Sequence, residues 1–188
     1  MKIETILDSK ETPAYWYDMN LLRETLCAVK SESENYNFHV HYAVKANANI
    51  PILEIIRTYG LGADCVSKNE IARALEVGFE PKEIVFAGVG KTDIEIRYAL
   101  EKNILCINCE SIQEAEIINS IAKSMNTIAN IALRINPDID AKTHKYITTG
   151  TRFNKFGIPF SEYETVSEII KTLKHINFVG LHFHIGSQ

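Results

Sequence analysis

No stretch of this 188-residue chain stays apolar long enough to span a membrane. The opening Met1-Lys2-Ile3-Glu4-Thr5 is too polar for the core of a secretory signal. Positive charge is also in short supply. Twenty Lys and Arg against 24 Asp and Glu leave a net charge of −4. That balance gives no electrostatic footprint for DNA, RNA or an anionic lipid surface. These absences predict a cytoplasmic protein with no nucleic-acid and no membrane partner. No Gly-x-Gly-x-x-Gly follows the first strand-like run and there is no P-loop, which weakens a nucleotide-binding reading. No low-complexity linker interrupts the chain. A composition of 46% hydrophobic and 23% charged residues is that of an ordinary globular protein, most simply one domain.

Four cysteines are present, and Cys106-Ile107-Asn108-Cys109 has the C-x-x-C spacing. The run reads as a strand, where residues three apart face opposite sides. No second cysteine pair or suitably spaced histidine pair completes a tetrahedral zinc site. Reduced cysteines, mainly filling core space, are expected, and no metal.

What the chain does contain is a regular alternation. Strand-like runs fall at 39–46, 62–66, 83–87, 104–109, 130–136 and 178–185, and most segments between them have helical periodicity. Four helix starts carry a Ser/Thr-x-x-Glu signature: Ser67/Glu70, Thr92/Glu95, Ser111/Glu114 and Ser161/Glu164. Stripes such as Ile71-Ala74-Leu75, Ile96-Ala99-Leu100, Ile117-Ile118-Ile121 and Val166-Ile169-Ile170-Leu173 follow them. Pro51 in the opening turn of the first inter-strand helix and Gly60 just past its end suit both residues. Strands alternating with helices require parallel pairing through right-handed crossovers. A tight spacing of about 20–25 residues favours a (β/α)8 TIM barrel over a doubly wound sheet, here with about six of the eight strands. Residues 1–30 stand outside the repeat, as a strand-like Ala14-Tyr15-Trp16-Tyr17 and a helix from about Asn20 that lead into the barrel portion, 31–188. The connection from Pro137 to Pro159, rich in Thr, Lys and Gly, is long enough to be functional, and opens on the C-terminal face of a barrel.

That face is where active sites sit, so polar residues at strand ends carry the information. They are Lys45 on the first strand, Asp64 on the second, Arg134 and Asn136 on the fifth, and His182 and His184 on the sixth. Alternation points His41, Ala43 and Lys45 inward, together with Ala132, Arg134, His182 and His184. A lysine facing inward loses hydration, which favours the neutral, nucleophilic amine needed for a Schiff base. The plainer reading is a lysine that snorkels from the strand end or pairs with a carboxylate. His182 and His184 could be read as metal ligands, but no carboxylate or cysteine completes such a site. Gly186 and Ser187 offer close backbone approach and a hydroxyl donor, which suit a phosphate. Lysine, imidazole and phosphate donor together suggest pyridoxal phosphate.

The segments Tyr42-Ala43-Val44-Lys45-Ala46-Asn47, Gly62-Ala63-Asp64-Cys65-Val66-Ser67-Lys68-Asn69-Glu70, Leu133-Arg134-Ile135-Asn136-Pro137, Asn154-Lys155-Phe156-Gly157 and His182-Phe183-His184-Ile185-Gly186-Ser187-Gln188 resemble a known set. In order, they look like the barrel motifs of the diaminopimelate decarboxylase family, within the alanine-racemase-like (fold type III) pyridoxal-phosphate enzymes. The resemblance runs from about Thr12 to the last residue, and its ending is more specific than the lysine motif that ornithine and arginine decarboxylases share. It implies that Lys45 holds the cofactor covalently, that His184 stacks on the pyridine ring and that Ser187, with Gly186, contacts the phosphate. Asp64 and Arg134 match polar residues lining the cofactor site. Thr143-His144-Lys145 and Thr149-Gly150 fit the family pattern, and Lys155 matches a subunit contact. The implied reaction is decarboxylation of meso-2,6-diaminopimelate to L-lysine, by an enzyme that binds a small amino-acid substrate and is a homodimer when full length.

The same resemblance implies missing parts: the last barrel strands, the glycine-rich phosphate turn, the acidic partner of the pyridine nitrogen and the C-terminal β-domain. The expectation is a fragment inactive alone, with two unpaired sheet edges that favour association. Alternatives are an ornithine, arginine or carboxynorspermidine decarboxylase of the same fold, a non-catalytic pyridoxal-phosphate-binding barrel protein, or a barrel whose lysine is structural.

Overall fold

A computed structural model describes residues 11–137 and 156–184, and they form two compact units divided between Phe38 and His39. The first unit holds helix α1 (Met19–Asn35). Asp18 starts it by accepting from the N–H groups of Asn20 and Leu21 at 2.9 and 3.1 Å, which satisfies donors that the first turn leaves open. The strand expected at Ala14-Tyr15-Trp16-Tyr17 is not formed. An alternating run becomes a strand only where another edge takes its backbone hydrogen bonds. Among the described residues none pairs with it.

The second unit runs β1 (His41–Ala43), α2 (Ile50–Thr58), β2 (Gly62–Cys65), α3 (Lys68–Val77), β3 (Ile84–Phe86), α4 (Asp93–Glu101), β4 (Cys106–Cys109), α5 (Ile112–Ser124), β5 (Ala129–Asn136), β6 (Ile158–Pro159), α6 (Tyr163–Thr172) and β7 (Ile176–His182). All strand pairs are parallel. Six strands lie in the order β1-β2-β3-β4-β5-β7, and the two-residue β6 bonds the C-terminal end of β5. Strand order follows chain order without reversal, as in a (β/α) barrel and unlike a doubly wound sheet. The expected α/β architecture with six of the barrel strands is therefore observed. Among the described residues β1 and β7 do not pair with each other.

The core lies between the sheet and its helices. Ala63, Cys65, Ile84, Phe86, Ile107, Cys109, Ile131, Leu133 and Ile135 project from the strands and are at most 1% exposed. Ile56, Ile71, Ala74, Ile96, Ala99 and Ile118 meet them from the helices, each large side chain contributing about 1.5–3 kcal/mol by leaving water. Ile117, expected in the α5 stripe, is 47% exposed; the buried stripe is Ala115, Ile118, Ile121 and Ala122. Cys106 and Cys109 do point to opposite faces. Cys106 hydrogen-bonds the inward-facing Asn108, whereas Cys109 is buried on the helix side. All four cysteines are free, Cys65, Cys106 and Cys109 buried and Cys27 exposed.

Helix starts match the sequence signatures unevenly. Thr92 and Glu95 form the full reciprocal box. At α3 and α5 the serine half is present, but each glutamate reaches one residue further back. Glu70 accepts from Val66 N–H and Glu114 from Glu110 N–H. Ser161/Glu164 is not a cap. The turn Phe160–Glu162 winds directly into α6, leaving no extended residue from which the Ser161 hydroxyl could reach back. Pro51 and Gly60 sit as expected, Gly60 with φ +80.

Two features shape the sheet's inner face. Gly62 lies beside His41 in register, and a Cβ there would fall 2.4 Å from the imidazole and 2.6 Å from Glu83 O, so only glycine fits. On β7 an extra residue, Val179, bulges between the partners of Ile131 and Ala132. The bulge resets alternation so that His182 lies beside Arg134 in register. Leu181 and Phe183, which alternate with His182 and His184 and by that pattern should face helices, are 42% and 47% exposed; Ile185, expected on the same face, lies outside the described residues. Among the described residues, no helix is long and apolar enough to cross a membrane.

Candidate active site

The C-terminal ends of β1, β2, β4, β5 and β7 gather the polar side chains. Lys45 is not on a strand. β1 stops at Ala43, and Lys45 sits in a 3₁₀ turn, Val44–Ala46, anchored by the fully buried Val44. It is exposed, so the expectation of an amine stripped of water on the inner strand face is not met. The turn carries the residue past the end of the sheet, and β1 is an edge strand. Its charge nevertheless bears on both Asp64 and His184, which brings the three groups into one electrostatic neighbourhood.

Asp64 is half-buried at the end of β2, beside Ala43. Burial raises its carboxyl above the usual range, Lys45 opposes that shift, and Glu70 adds to it. One carboxylate oxygen, Oδ1, is buried without a hydrogen-bond partner. Such an atom is costly unless something bonds it.

Arg134, buried near the end of β5, is held by Glu110: one guanidinium nitrogen bonds both carboxylate oxygens at 2.9 and 3.0 Å. The guanidinium lies over the Phe156 ring, 5.6 Å from its centroid. Gly157, with φ +82, backs against the Arg134 main chain, where a Cβ would sit 3.0 Å from Arg134 O. The Phe156-Gly157 part of the loop motif thus has a structural reason: it braces Arg134. Asn154, Lys155 and the loop residues Thr143, His144, Lys145, Thr149 and Gly150 lie outside the described residues, as do Gly186 and Ser187.

His182 ends β7 with Nδ1 buried and unpartnered. Burial first, then the Arg134 charge, lowers its pKa to about 4 against a weak pull upward from Glu110. His184 is lowered for similar reasons, by burial, then Arg134, then Lys45. Both imidazoles are therefore neutral near pH 7, acceptors and flat apolar faces rather than cations. Glu110 escaped sequence reasoning because it stands one residue past β4, where it reads as the lead-in to the Ser111 helix start. The available signal was its place at a strand end, as for Lys45. Among the described residues no group of three His, Cys, Asp or Glu is placed to hold a metal ion.

A pH dependence follows from His182. Between about pH 6.5, its unfolded value, and about 4, the unfolded chain takes a proton that the folded chain refuses. Stability is then lost as pH falls through that window, and the lowered His41 and His184 act in the same direction. The urea midpoint is expected to drop between about pH 7.5 and 4.5, with a shallower slope in His182→Gln. An unchanged slope in that variant contradicts the account.

Comparison with known proteins identifies the class. A family model described as pyridoxal-dependent decarboxylase, pyridoxal binding domain, matches residues 21–188, and the chain belongs to that family. Its relatives are specific. The chain is 54% identical over 179 residues to the diaminopimelate decarboxylase of Bacteroides thetaiotaomicron, which covers 95% of this chain and 46% of that protein. It is 44% identical over 185 residues to the diaminopimelate decarboxylase of Helicobacter pylori, covering 98% and 46%. The solved H. pylori diaminopimelate decarboxylase complexed with L-lysine superposes with a TM-score of 0.91 at 42% identity, over 100% of this chain and 48% of that one. A Paramecium bursaria Chlorella virus arginine decarboxylase bound to agmatine matches at TM-score 0.82 and 25% identity, covering 98% and 47%. The chain spans about half the length of the curated relatives it matches. The six-stranded parallel sheet is the N-terminal barrel portion of this fold.

Pyridoxal phosphate is the cofactor of this family. The residues present fit it. A buried carboxylate oxygen and a buried imidazole nitrogen lack partners at the strand ends, and the Lys45 amine lies within charge range of Asp64 and His184. Those are unmet polar demands that a polar ring compound can satisfy.

Proposed function

We propose that the full-length protein decarboxylates meso-2,6-diaminopimelate to L-lysine, using pyridoxal phosphate, as a cytoplasmic homodimer. The observation that carries the substrate is the 54% identity over 95% of the chain to a diaminopimelate decarboxylase. The bound cofactor supplies a ring that accepts the electrons left when the carboxylate departs. The chain's own residues do the rest. Lys45, exposed on its turn, holds the cofactor covalently and carries a proton for the reacting carbon. His184 would offer a neutral imidazole to the ring, and Asp64 sets the charge beside Lys45. Arg134, held by Glu110 and Phe156, keeps a fixed positive charge beside His182. Gly186 and Ser187 take the phosphate.

The viral arginine decarboxylase shares the fold, so a substrate panel separates the readings. With the full-length protein, meso-diaminopimelate is expected to exceed ornithine, arginine and carboxynorspermidine by about 10²-fold or more in kcat/KM. The 188-residue chain alone is expected to release no carbon dioxide above background. Preference for ornithine or arginine overturns the substrate assignment. Cofactor binding without turnover of any of the four overturns the enzymatic reading.

A further inference from the structure

Lys91 lies in the connection between β3 and α4, outside every motif read above, yet its side chain is 1% exposed. Its ammonium has three protons and three acceptors: Gly88 O at 2.6 Å, Asn108 O at 2.7 Å and Glu114 Oε1 at 2.7 Å. No donor is left over. The second Glu114 oxygen accepts from the Glu110 main-chain N–H at 2.7 Å. The Glu110 side chain in turn bonds Arg134 through both oxygens, and Arg134 neighbours His182 in register. Four charged groups, Lys91, Glu114, Glu110 and Arg134, are thus linked from the β3–α4 loop to the end of β5, and their charges sum to zero.

We propose that Lys91 is a positioning residue for the site: by holding Glu114 and the Asn108 carbonyl it fixes the Glu110 backbone, and so aims the carboxylate that holds Arg134. The inference rests on the pyridoxal-enzyme reading above. The physical argument is one of satisfaction. A buried ammonium with three short bonds, one to a main-chain oxygen of its own loop, one to a main-chain oxygen of β4 and one to a carboxylate, defines its surroundings to within a narrow range. Removing it leaves the partly buried Glu114 carboxylate without its cation. That carboxylate then rehydrates or turns outward and releases Glu110 N–H. Glu110 loses its register with Arg134, and the guanidinium beside His182 is free to swing. Lys91 touches neither substrate nor cofactor in this account. It acts only through the Glu110–Arg134 pair.

The test uses the full-length protein with Lys91→Met, Lys91→Arg and Glu114→Gln. The first readout is the His182 titration followed by NMR in the cofactor-free protein. It is expected to rise by about one unit in Lys91→Met, because Arg134 leaves. Loss of the distant Lys91 charge alone moves it far less, as Lys91 is the weakest influence on that imidazole. The second readout is the kinetic split in the loaded enzyme. Here kcat is expected to fall about tenfold or more with KM little changed, within what ~1 Å of misplacement costs. Lys91→Arg is expected to restore part of both. If Lys91→Met does not fold, Glu114→Gln decides, since it cuts the link to Glu110 N–H while leaving Lys91 an acceptor. An unmoved His182 titration in a folded Lys91→Met or in Glu114→Gln overturns the proposal. So does a loss of stability without change in either readout. If the wild-type protein decarboxylates nothing, the functional reading fails while the His182 shift still tests this inference.

Discussion

In the full-length protein, Lys45→Ala is expected to abolish the covalent cofactor link and to lower turnover by about 10³-fold or more, since nucleophilic and proton-carrying roles fall together. Borohydride treatment of the loaded wild type, followed by peptide mapping, should place the label on Lys45. The variant should leave that peptide unlabelled. Exposure alone does not select this lysine, because Lys174 and other exposed lysines compete for the same aldehyde. Selection comes from its neighbours, the half-buried Asp64 and the neutral His184, both within reach of its charge. Lys45→Arg separates two contributions. It keeps the positive charge beside Asp64 but cannot hold the cofactor covalently, so it should be as inactive as alanine. Label spread over surface lysines in the wild type removes the assignment.

A second large effect is expected at Glu110. Its carboxylate and the Arg134 guanidinium are 8% and 11% exposed, bonded at 2.9 Å. Glu110→Ala leaves a buried guanidinium unpaired, which costs about 3–5 kcal/mol. Urea unfolding of the full-length protein should show a loss of that size. Glu110→Leu combined with Arg134→Met should recover much of it, because an apolar pair of similar volume avoids burying two charges. That double variant would be folded but without the guanidinium beside His182, and turnover should stay low. Recovery of activity along with stability would mean that Arg134 serves the fold alone.

Much of the architecture was legible because period and punctuation agreed. Ile71 and Ala74, or Ile96 and Ala99, follow helix-start signatures that the backbone uses. The misses share a cause, which is that tertiary context overrode local pattern. Ser161 has the right spacing to Glu164, but a 3₁₀ turn occupies the place a cap needs. Ala14 to Tyr17 alternate like a strand and among the described residues find no pairing edge. Lys45 follows an alternating run that the backbone abandons two residues earlier. At the site, Asp64, Arg134 and His184 were readable as polar residues where apolar ones were due. Glu110 was hidden by its helix-start neighbour, and Lys91 by lying on a loop whose burial no periodicity reveals.

Strand order that repeats chain order has a consequence for synthesis. Each strand from β2 to β5, as it leaves the ribosome, finds its only required neighbour already made, some twenty-odd residues upstream. The sheet can therefore grow as a zip, one rung per βα unit, with the sticky margin always on the newest rung. At β7 that rung carries Phe178, Leu181 and, just past its end, Phe183, 40–47% exposed.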